Sequence, residues 1–428
     1  MARDLVSGRA FPMFMYGQRY LLCVSVWLCA PLFALFGASI VTLKLPMFAM
    51  NIAAVVMLWR GLRRELDPVG TTLAVLPFAI PSALVSSRLV EHQGGNIEPF
   101  VFVLAAFFLR QRPIWLGVLL GVGFLNREFT LIGLIALLVL DGLQGELLRR
   151  WKHHLTTIGT LAIVAGSLRL LANWSTSYYG AQAGPGKPKW ENLWGFVGQQ
   201  LPSLFGALPR KLSEFNVASQ LTVGHVAVGY ALLLLCAAAA MVLAWKPLER
   251  RELNGMSSYL ALVGIGQACA FVLVTPSAGD VMLVRYILLV LLGLCGLVAL
   301  AWRRAVLRPI VVAVIGLLTL SNLTGNLKLV HEYASGPPRR ELNTLAEALL
   351  ERGVHYALAD YWTSFDLAWL TEERIIASPE RGRGDRMARY SDELDLHRDE
   401  VYRISNEPCT GGEAILRWYL CKPPRAHD

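Results

Sequence analysis

The sequence predicts a polytopic α-helical membrane protein that ends in a small extracytoplasmic α/β domain. Of its 428 residues, 55% are hydrophobic and only 17% are charged, whereas soluble domains carry about 25% charged residues. Apolar runs of nearly twenty residues recur along the chain, which is the length that a membrane-crossing helix needs. After about residue 325 the sequence becomes charged and its apolar runs shorten, which indicates a change of domain.

Clusters of Lys and Arg between the apolar runs predict how the chain alternates across the membrane. Each cluster falls on the same side when the runs are taken as successive spans, as the positive-inside rule requires. The net charge of +9 therefore reflects membrane orientation, and we expect no nucleic-acid partner. The ten predicted spans are residues 38–60, 69–87, 97–109, 114–125, 129–143, 154–172, 222–245, 257–276, 281–302 and 306–325.

This alternation places both ends of the chain outside and divides it into a membrane domain (1–325) and a C-terminal domain (326–428). The outer loops are residues 1–37, 88–97 and 173–221. In the third loop, aromatic and aliphatic residues recur at helical spacing from Trp190 onward. They fit either an amphipathic helix at the outer membrane face or an ordinary cap over the bundle.

Two stretches of the membrane domain leave alternatives open. The three consecutive spans within residues 97–143 are short for a core of about 30 Å. They either extend into their loops or form a partly re-entrant hairpin. Residues 21–36 are apolar but lie almost directly before the span 38–60. We expect them to form a helix in the interface, with Trp27 and Pro31 suited to that position; the alternative is a further span.

The C-terminal domain shows alternating helix and strand patterns. Helix 339–353 is amphipathic and ends at Gly353, and a second helix covers 361–373. Such alternation predicts a small α/β domain. Cys409 and Cys421 lie in this polar region and either form a disulfide or remain free. The predicted strands are residues 354–359, 374–378, 400–405 and 414–420.

Ionisable residues cluster at the outer side of the predicted bundle. Charges near a membrane are costly and indicate function by default, although each alone also fits a solvated loop. Arg127 and Glu128 interrupt apolar sequence on both sides, so they either form a site or pair with each other. Basic groups here suit a lipid-linked phosphate, and a carboxylate among them suits a general base. The cluster comprises Arg19, Glu91, His92, Glu98, Arg127, Glu128, Arg169, Asp280 and Arg285.

The sequence lacks the motifs of other enzyme classes. It contains no nucleotide-binding glycine-rich loop, serine-nucleophile elbow or zincin motif. His92 has no partner at metal-ligand spacing, and the cysteines show no metal-binding pattern. A membrane enzyme of this kind fits a lipid-carried donor better than a cytosolic nucleotide sugar.

Several segments resemble membrane glycosyltransferases of the GT-C type, the superfamily of protein O-mannosyltransferases, the lipid A aminoarabinose transferase and rhizobial galacturonosyltransferases. ARDLVSGRAFPMFMYGQRY and APLFALFGASIVTLKLP resemble the first outer loop and the approach to the second span. GGNIEPFVFVLAAFFL resembles the second outer loop, where Glu98–Pro99 occupies the place of a carboxylate–proline pair. GVGFLNREFTLIGL resembles the following helical hairpin, QQLPSLFG and RYILLVLLGL resemble later stretches, and LADYWTSFDLAWLTEERIIASPE resembles the tail of a bacterial subgroup.

The resemblance implies a GT-C bundle that transfers sugar from a polyprenyl-phosphate donor with inversion, in a bacterial inner membrane. It also implies that the acceptor is a lipid, glycan or protein on the periplasmic side. The family's general base is an acidic residue shortly after the first span, and the matching region would lie upstream of Met1. The resemblance therefore implies a missing first transmembrane helix. No cofactor is assigned, because family members differ in metal dependence.

The same resemblance proposes roles for individual residues. Glu98 matches a second acidic position, and Asp4 lies apparently downstream of the family's acid; these two are the catalytic candidates. Arg127 and Arg285 are the candidates for contacts to the donor phosphate. The remaining candidates, which shape the pocket or bind substrate, are Tyr16, Gln18, Arg19, Tyr20, His92, Glu128, Arg169 and Tyr286.

Two other functions remain open. A catalytically silent relative that acts as a binding or scaffold protein is favoured by the absence of the first-loop acid. A lipid flippase or transporter would place polar residues at mid-membrane and show inverted repeats. The polar cluster instead lies at one face, and no repeat is visible, so we expect an enzyme.

Overall fold

A computed structural model describes residues 1–92, 95–174, 190–206, 255–274, 281–336, 340–379 and 386–422. These residues form two compact units. The first contains Met1–Met13 and the described residues from Tyr20 to His331. The second contains Phe14–Arg19 and the described residues from Glu332 onward.

The first unit is helical, and a short hairpin of β1 (Phe14–Met15) and β2 (Gln18–Leu22) precedes its second helix. Two 3-10 segments connect helices: a single turn at Glu128–Thr130 and a longer segment at Val281–Ile287. The helices are α1 (Ala2–Val6), α2 (Val24–Phe36), α3 (Ile40–Leu62), α4 (Pro68–Ala79), α5 (Ala83–Leu89), α6 (Glu98–Leu109), α7 (Pro113–Asn126), α8 (Leu131–Leu143), α9 (Trp151–Leu171), α10 (Trp190–Gly195), α11 (Leu201–Leu204), α12 (Met256–Val274), α13 (Val290–Trp302) and α14 (Arg308–Ser335).

Five helical stretches in the described part of the chain are long and apolar enough to cross a membrane: Ile40–Leu62, Trp151–Leu171, Met256–Val274, Val284–Trp302 and Ala305–Ser335. The pair α4 and α5 would make a sixth, with a bend of 77° between them. All six coincide with predicted spans. The predicted span 222–245 lies outside the described residues.

The three short predicted spans form the helices α6, α7 and α8. They contain 12, 14 and 13 residues, so at 1.5 Å per residue each is about 18–21 Å long. A bilayer core is about 30 Å thick, and none of the three crosses it alone. The helix α2 also has 13 residues, which fits the predicted interfacial position better than a full span.

Two carboxylates that follow α3 connect the helices at their arginine-rich ends. Glu65 accepts a hydrogen bond from the Ser257 hydroxyl at 2.6 Å and pairs with Arg303. Asp67 caps α4 through the backbone N–H of Gly70 at 2.7 Å and accepts from the Trp302 indole at 2.9 Å. The polar loop after α3 thereby fixes both α12 and α13.

The helices α12 and α13 pack backbone to backbone through glycine. A Cβ added to Gly264 would lie 2.4 Å from the Cα of Gly293. Gly296 makes a similar approach, because its Cβ would lie 2.5 Å from the backbone nitrogen of Ala261. Small residues at such crossings allow the close contact that holds helices together in lipid.

The second unit is an α/β domain with a five-stranded sheet in the order β4-β3-β5-β7-β6. The strand β3 is parallel to β4 and β5, while β7 is antiparallel to β5 and β6. The elements are α15 (Arg340–Glu351), β3 (Tyr356–Ala359), α16 (Tyr361–Leu370), β4 (Ile376–Pro379), α17 (Ala388–Leu396), β5 (Val401–Ser405), β6 (Glu413–Ile415) and β7 (Trp418–Cys421).

The C-terminal strand prediction needs one correction. The predicted strand 414–420 is a hairpin of two strands, with Ile415 opposite Trp418. Leu416 adopts a positive φ of 56° at the turn, a conformation that a non-glycine residue seldom takes. The alternating apolar pattern continues through the turn, so the sequence pattern alone predicts one strand instead of two.

Two polar features of the second unit have structural explanations. Cys409 and Cys421 form a disulfide with their Cα atoms 6.0 Å apart, which selects one of the two alternatives left by the sequence. Asp360 caps α16 by accepting hydrogen bonds from the N–H groups of Trp362 and Thr363 at 3.1 and 3.2 Å. Asp360 therefore has a structural role at the start of this helix.

The glycine contact predicts a selective loss of stability. We expect Gly264→Ala to lower the free energy of unfolding by about 1–3 kcal/mol, because the new methyl group meets the backbone of α13. Gly166→Ala is the matched control, since no heavy atom lies within 4 Å of its added Cβ. Thermal unfolding of the purified protein in detergent measures both. Equal midpoints for the two variants would contradict the packing described.

Candidate functional site

The candidate site begins at the carboxylate that opens α6. Glu98 is only 1% exposed. Its Oε2 accepts hydrogen bonds from the backbone N–H groups of Gly95 and Asn96, both at 3.1 Å. Its Oε1 is buried and has no hydrogen-bond partner among the described residues. One oxygen thus orders the loop before α6, and the other is left with an unused acceptor.

Arg127 lies where α7 ends, in extended backbone between that helix and the following 3-10 turn. It is 6% exposed, and its guanidinium carbon lies 5.8 Å from the ring centre of Tyr286 and 5.9 Å from that of Phe129. Within the described residues its buried Nε has no hydrogen-bond partner. A buried cation without an anionic partner is costly, so this position favours a negatively charged ligand.

Gly95 makes the position of Arg127 possible. Its φ of +81° lies in the left-handed region, and an added Cβ would lie 2.1 Å from the Cγ and 2.3 Å from the Nε of Arg127. The arginine side chain therefore rests directly against the loop that Glu98 orders. Only glycine satisfies both the backbone conformation and the contact.

A second arginine lies against the same aromatic ring. Arg285 donates a hydrogen bond to the Tyr286 hydroxyl at 3.0 Å, and its guanidinium carbon lies 4.9 Å from the centre of that ring. The rings of Phe129 and Tyr286 are perpendicular, with centres 5.7 Å apart. The two arginines predicted to bind phosphate, Arg127 and Arg285, are thus brought to one tyrosine.

A small pocket opens beside this cluster. Two of its polar residues present unused acceptors: Asn96 Oδ1 and Gln267 Oε1 are buried and have no hydrogen-bond partner in the described ranges. The Gln267 amide group donates to the backbone oxygen of Tyr286. The lining comprises Gly95, Asn96, Pro99, Phe100, Phe129, Gln267, Arg285, Tyr286, Leu288 and Leu289.

The sequence analysis missed three of these polar and aromatic residues, Asn96, Gln267 and Phe129. Gln267 had a usable signal, because it is a polar residue inside the apolar span 257–276 and such residues indicate function. Asn126, beside Arg127, is also fully buried; its amide group donates to the Leu22 backbone oxygen at 3.2 Å.

Three predicted residues lie apart from the arginine pair or have other contacts. Glu128 is exposed and makes no ion pair with Arg127 in the described structure. The two neighbours therefore do not pair with each other, which was one of the two alternatives for this position. Arg169 is exposed on α9. His92 is half-buried, with its Nε2 3.2 Å from the sulfur of Cys29.

The candidate residues of the first predicted loop do not all lie in the same unit. Asp4 is 3% exposed in α1 and pairs with Arg9, whose Nη2 lies 2.9 Å from its Oδ1. Tyr16, Gln18 and Arg19 belong to the second unit. The side chains of Arg19 and Tyr20 lie outside the described structure. Tyr20 contributes its backbone to β2.

Metal-ligand side chains are not grouped in the described part of the chain. It contains no group of three or more His, Cys, Asp or Glu side chains placed to hold a metal ion. The described cluster itself offers two guanidinium groups, a buried carboxylate and amide oxygens.

Comparison with known proteins adds two findings. The sequence profile of glycosyltransferase family 87 matches residues 23–276, more than half of the chain. The fold is similar to that of the Archaeoglobus fulgidus oligosaccharyltransferase in its apo form, with a TM-score of 0.50 and 13% identity. That alignment covers 94% of this chain and 64% of the archaeal one. No curated protein matches the sequence.

The contact between Gly95 and Arg127 predicts a coupling that a double-mutant cycle measures. We expect Gly95→Ala to lower the free energy of unfolding by more than the roughly 1–2 kcal/mol that left-handed backbone costs a non-glycine residue. Gly145→Ala supplies that backbone cost alone, because Gly145 has a φ of +74° and nothing within 4 Å of its added Cβ.

In an Arg127→Ala background the excess cost of Gly95→Ala should disappear, because the clashing side chain is gone. Denaturation of the four purified proteins gives the coupling energy. An equal cost in both backgrounds would show that Arg127 does not rest on Gly95.

Proposed function

This chain belongs to glycosyltransferase family 87, and from that membership we propose that it transfers a sugar from a polyprenyl-phosphate donor to a lipid, glycan or protein acceptor. The observation that carries this proposal is the pair of arginines that flank Tyr286 beside a cavity with unused acceptors. An oligosaccharyltransferase of similar fold supports a sugar carried to an acceptor at a membrane.

The parts of the cavity correspond to the parts of such a donor. Guanidinium groups form strong charge-assisted hydrogen bonds with phosphate oxygens, which suits Arg127 and Arg285. The buried oxygens of Asn96 and Gln267 accept hydrogen bonds, and sugar hydroxyls donate them. The apolar side chains of Phe100 and Leu288 in the cavity wall suit the first isoprene units.

The proposed chemistry is a direct displacement at the anomeric carbon. The carboxylate of Glu98 takes the proton of the acceptor hydroxyl, and the hydroxyl oxygen forms a bond to the anomeric carbon. The bond between that carbon and the phosphate oxygen breaks, and its electron pair leaves with the polyprenyl phosphate. Arg127 and Arg285 stabilise the charge that develops on the leaving phosphate.

Glu98 is the stronger of the two catalytic candidates. One of its oxygens is already oriented by backbone N–H groups, while the other has no partner in the described structure. Asp4 is paired with Arg9, and an ion-paired carboxylate is a weaker base. We therefore assign proton transfer to Glu98 and keep Asp4 as the secondary candidate.

The same proposal includes a location. We place the protein in a bacterial inner membrane, with the second unit and the sugar-transfer site on the extracytoplasmic side. The disulfide between Cys409 and Cys421 supports that side for the second unit, because disulfides persist in oxidising compartments. The arginine-rich helix ends then face the cytoplasm, as the positive-inside rule expects.

The arginine pair predicts how the protein binds a phosphate lipid. We expect Arg127→Gln and Arg285→Gln each to weaken undecaprenyl phosphate binding by roughly tenfold or more, since a charged hydrogen bond contributes about 1.5–3 kcal/mol. Arg112→Gln, an exposed arginine at the other end of the helices, is the control and should bind normally. Titration of the purified protein in detergent measures the Kd, and three equal values would exclude this phosphate site.

Loss of the Glu98 carboxylate should affect the rate of transfer rather than lipid binding. We expect Glu98→Gln to bind the lipid normally but to lower kcat by about 10²- to 10⁴-fold, the usual contribution of a general base. Transfer of radiolabelled sugar from a panel of polyprenyl-phosphate hexoses and pentoses onto membrane acceptors measures kcat. A variant as fast as the wild type would remove Glu98 from the mechanism. A wild type that binds every donor and transfers none would instead indicate a silent binding protein.

A further inference from the structure

A second pocket lies at the arginine-rich ends of α6, α8 and α9 and is partly open to the surface. Its polar residues include Arg110, which follows α6, Asp141 near the end of α8, and Arg150, which precedes α9. Glu98 opens α6 at the opposite end, twelve residues earlier, or about 18 Å along the helix axis. This cavity is therefore separate from the proposed sugar-transfer site.

The polar mouth of the cavity carries an excess of positive charge. Asp141 accepts a hydrogen bond from Arg150 at 3.2 Å, and its other contact is His154 Nε2, also at 3.2 Å. Arg110 adds a second guanidinium, which lies 4.2 Å from the ring centre of Phe107. Among the described residues that line this pocket, one carboxylate thus faces two permanent cations, before either histidine gains a proton.

The start of α9 increases the attraction for an anion. His153 and His154 lie in the first turn of this 21-residue helix and line the cavity. The N-terminal end of a helix carries a partial positive charge, and backbone N–H groups there favour anions. The helix end and the two arginines therefore act in the same direction.

The interior of the cavity is apolar. Leu134, Leu137 and Leu140 of α8 line it together with Leu116 of α7, and each of these side chains is at least nine-tenths buried. A small inorganic anion would contact only the polar mouth. An amphiphile with a phosphate head and a hydrocarbon tail would contact both the mouth and the wall.

The segment beside the cavity exposes large apolar side chains. Leu148, in the connection between α8 and α9, is 85% exposed, and Trp151, the first residue of α9, is 54% exposed. Trp is enriched at membrane interfaces, where its ring lies at the level of the lipid headgroups. Exposed apolar residues beside a basic cavity indicate that its mouth meets the bilayer surface rather than open water.

We propose that this cavity binds the phosphate headgroup of an anionic phospholipid, with the start of its hydrocarbon chain against the leucines of α7 and α8. Phosphate is the chemistry that the mouth recognises, and a membrane lipid is the source that the apolar wall favours over free phosphate. The site is independent of sugar transfer, since it shares no residue with the cluster around Arg127.

Native mass spectrometry of the full-length protein in detergent tests this site. The protein is titrated with phosphatidylglycerol and with phosphatidylcholine of the same chains. The wild type should prefer phosphatidylglycerol. Arg110→Gln should weaken that binding by roughly fivefold, since a basic residue near an anionic lipid contributes about 1 kcal/mol. Arg110→Lys should restore most of it, and Arg112→Gln, an exposed neighbour, should bind as the wild type does.

A second variant keeps the test decisive if Arg110→Gln does not fold, which size-exclusion chromatography reveals. Leu137→Phe fills the apolar part of the cavity and leaves every charge in place, and it should also reduce phosphatidylglycerol binding. Equal affinity of the wild type, Arg110→Gln and Leu137→Phe for phosphatidylglycerol would overturn the proposal. So would equal affinity of the wild type for the two lipids.

Inorganic phosphate distinguishes the source of the anion. Thermal unfolding of the wild type and of Arg110→Gln is compared with and without millimolar phosphate. No stabilisation, together with loss of phosphatidylglycerol in the variant, supports a lipid site. Stabilisation by phosphate that depends on Arg110, with phosphatidylglycerol binding unchanged in the variant, would assign the cavity to a soluble anion and overturn the lipid assignment.

Discussion

Arg127 rests against the backbone of Gly95, and the candidate sugar-transfer site depends on this contact. The absent side chain at Gly95 lets the arginine lie beside the loop whose N–H groups bind Glu98. A cation and a carboxylate thereby come to neighbouring positions. In the sequence, Arg127 is separated from Glu98, the first residue of α6, by 28 residues that include the rest of α6 and all of α7. A larger residue at 95 would displace the guanidinium and disturb the loop together.

The short helices α6, α7 and α8 explain why charged groups are tolerated here. None of them crosses a bilayer core alone, and Glu98 and Arg127 at their ends are buried by the surrounding protein. Buried polar groups in such a place need partners. One oxygen each of Glu98, Asn96 and Gln267 has no hydrogen-bond partner among the described residues, which supports the proposal that a polar ligand binds here.

The two cavities of the first unit are lined by different kinds of polar groups. The one beside Tyr286 combines guanidinium groups with unused acceptors, which suits a phosphate bonded to a sugar. The one beside Arg110 combines cations with a leucine wall. On the two proposals made above, the first unit binds a substrate lipid at one helix end and a phospholipid at the other.

The sequence by itself determined the membrane class, the positions of the described spans and the α/β character of the second unit, and it named Arg127, Arg285 and Glu98 as site candidates. These follow from local composition, because hydrophobic length and charge placement act over single segments. Only the tertiary structure decided that both arginines meet at Tyr286, that Asn96 and Gln267 join them, and that residues 414–420 form a hairpin. Such contacts depend on side chains far apart in the chain and on single backbone angles, which periodicity does not record.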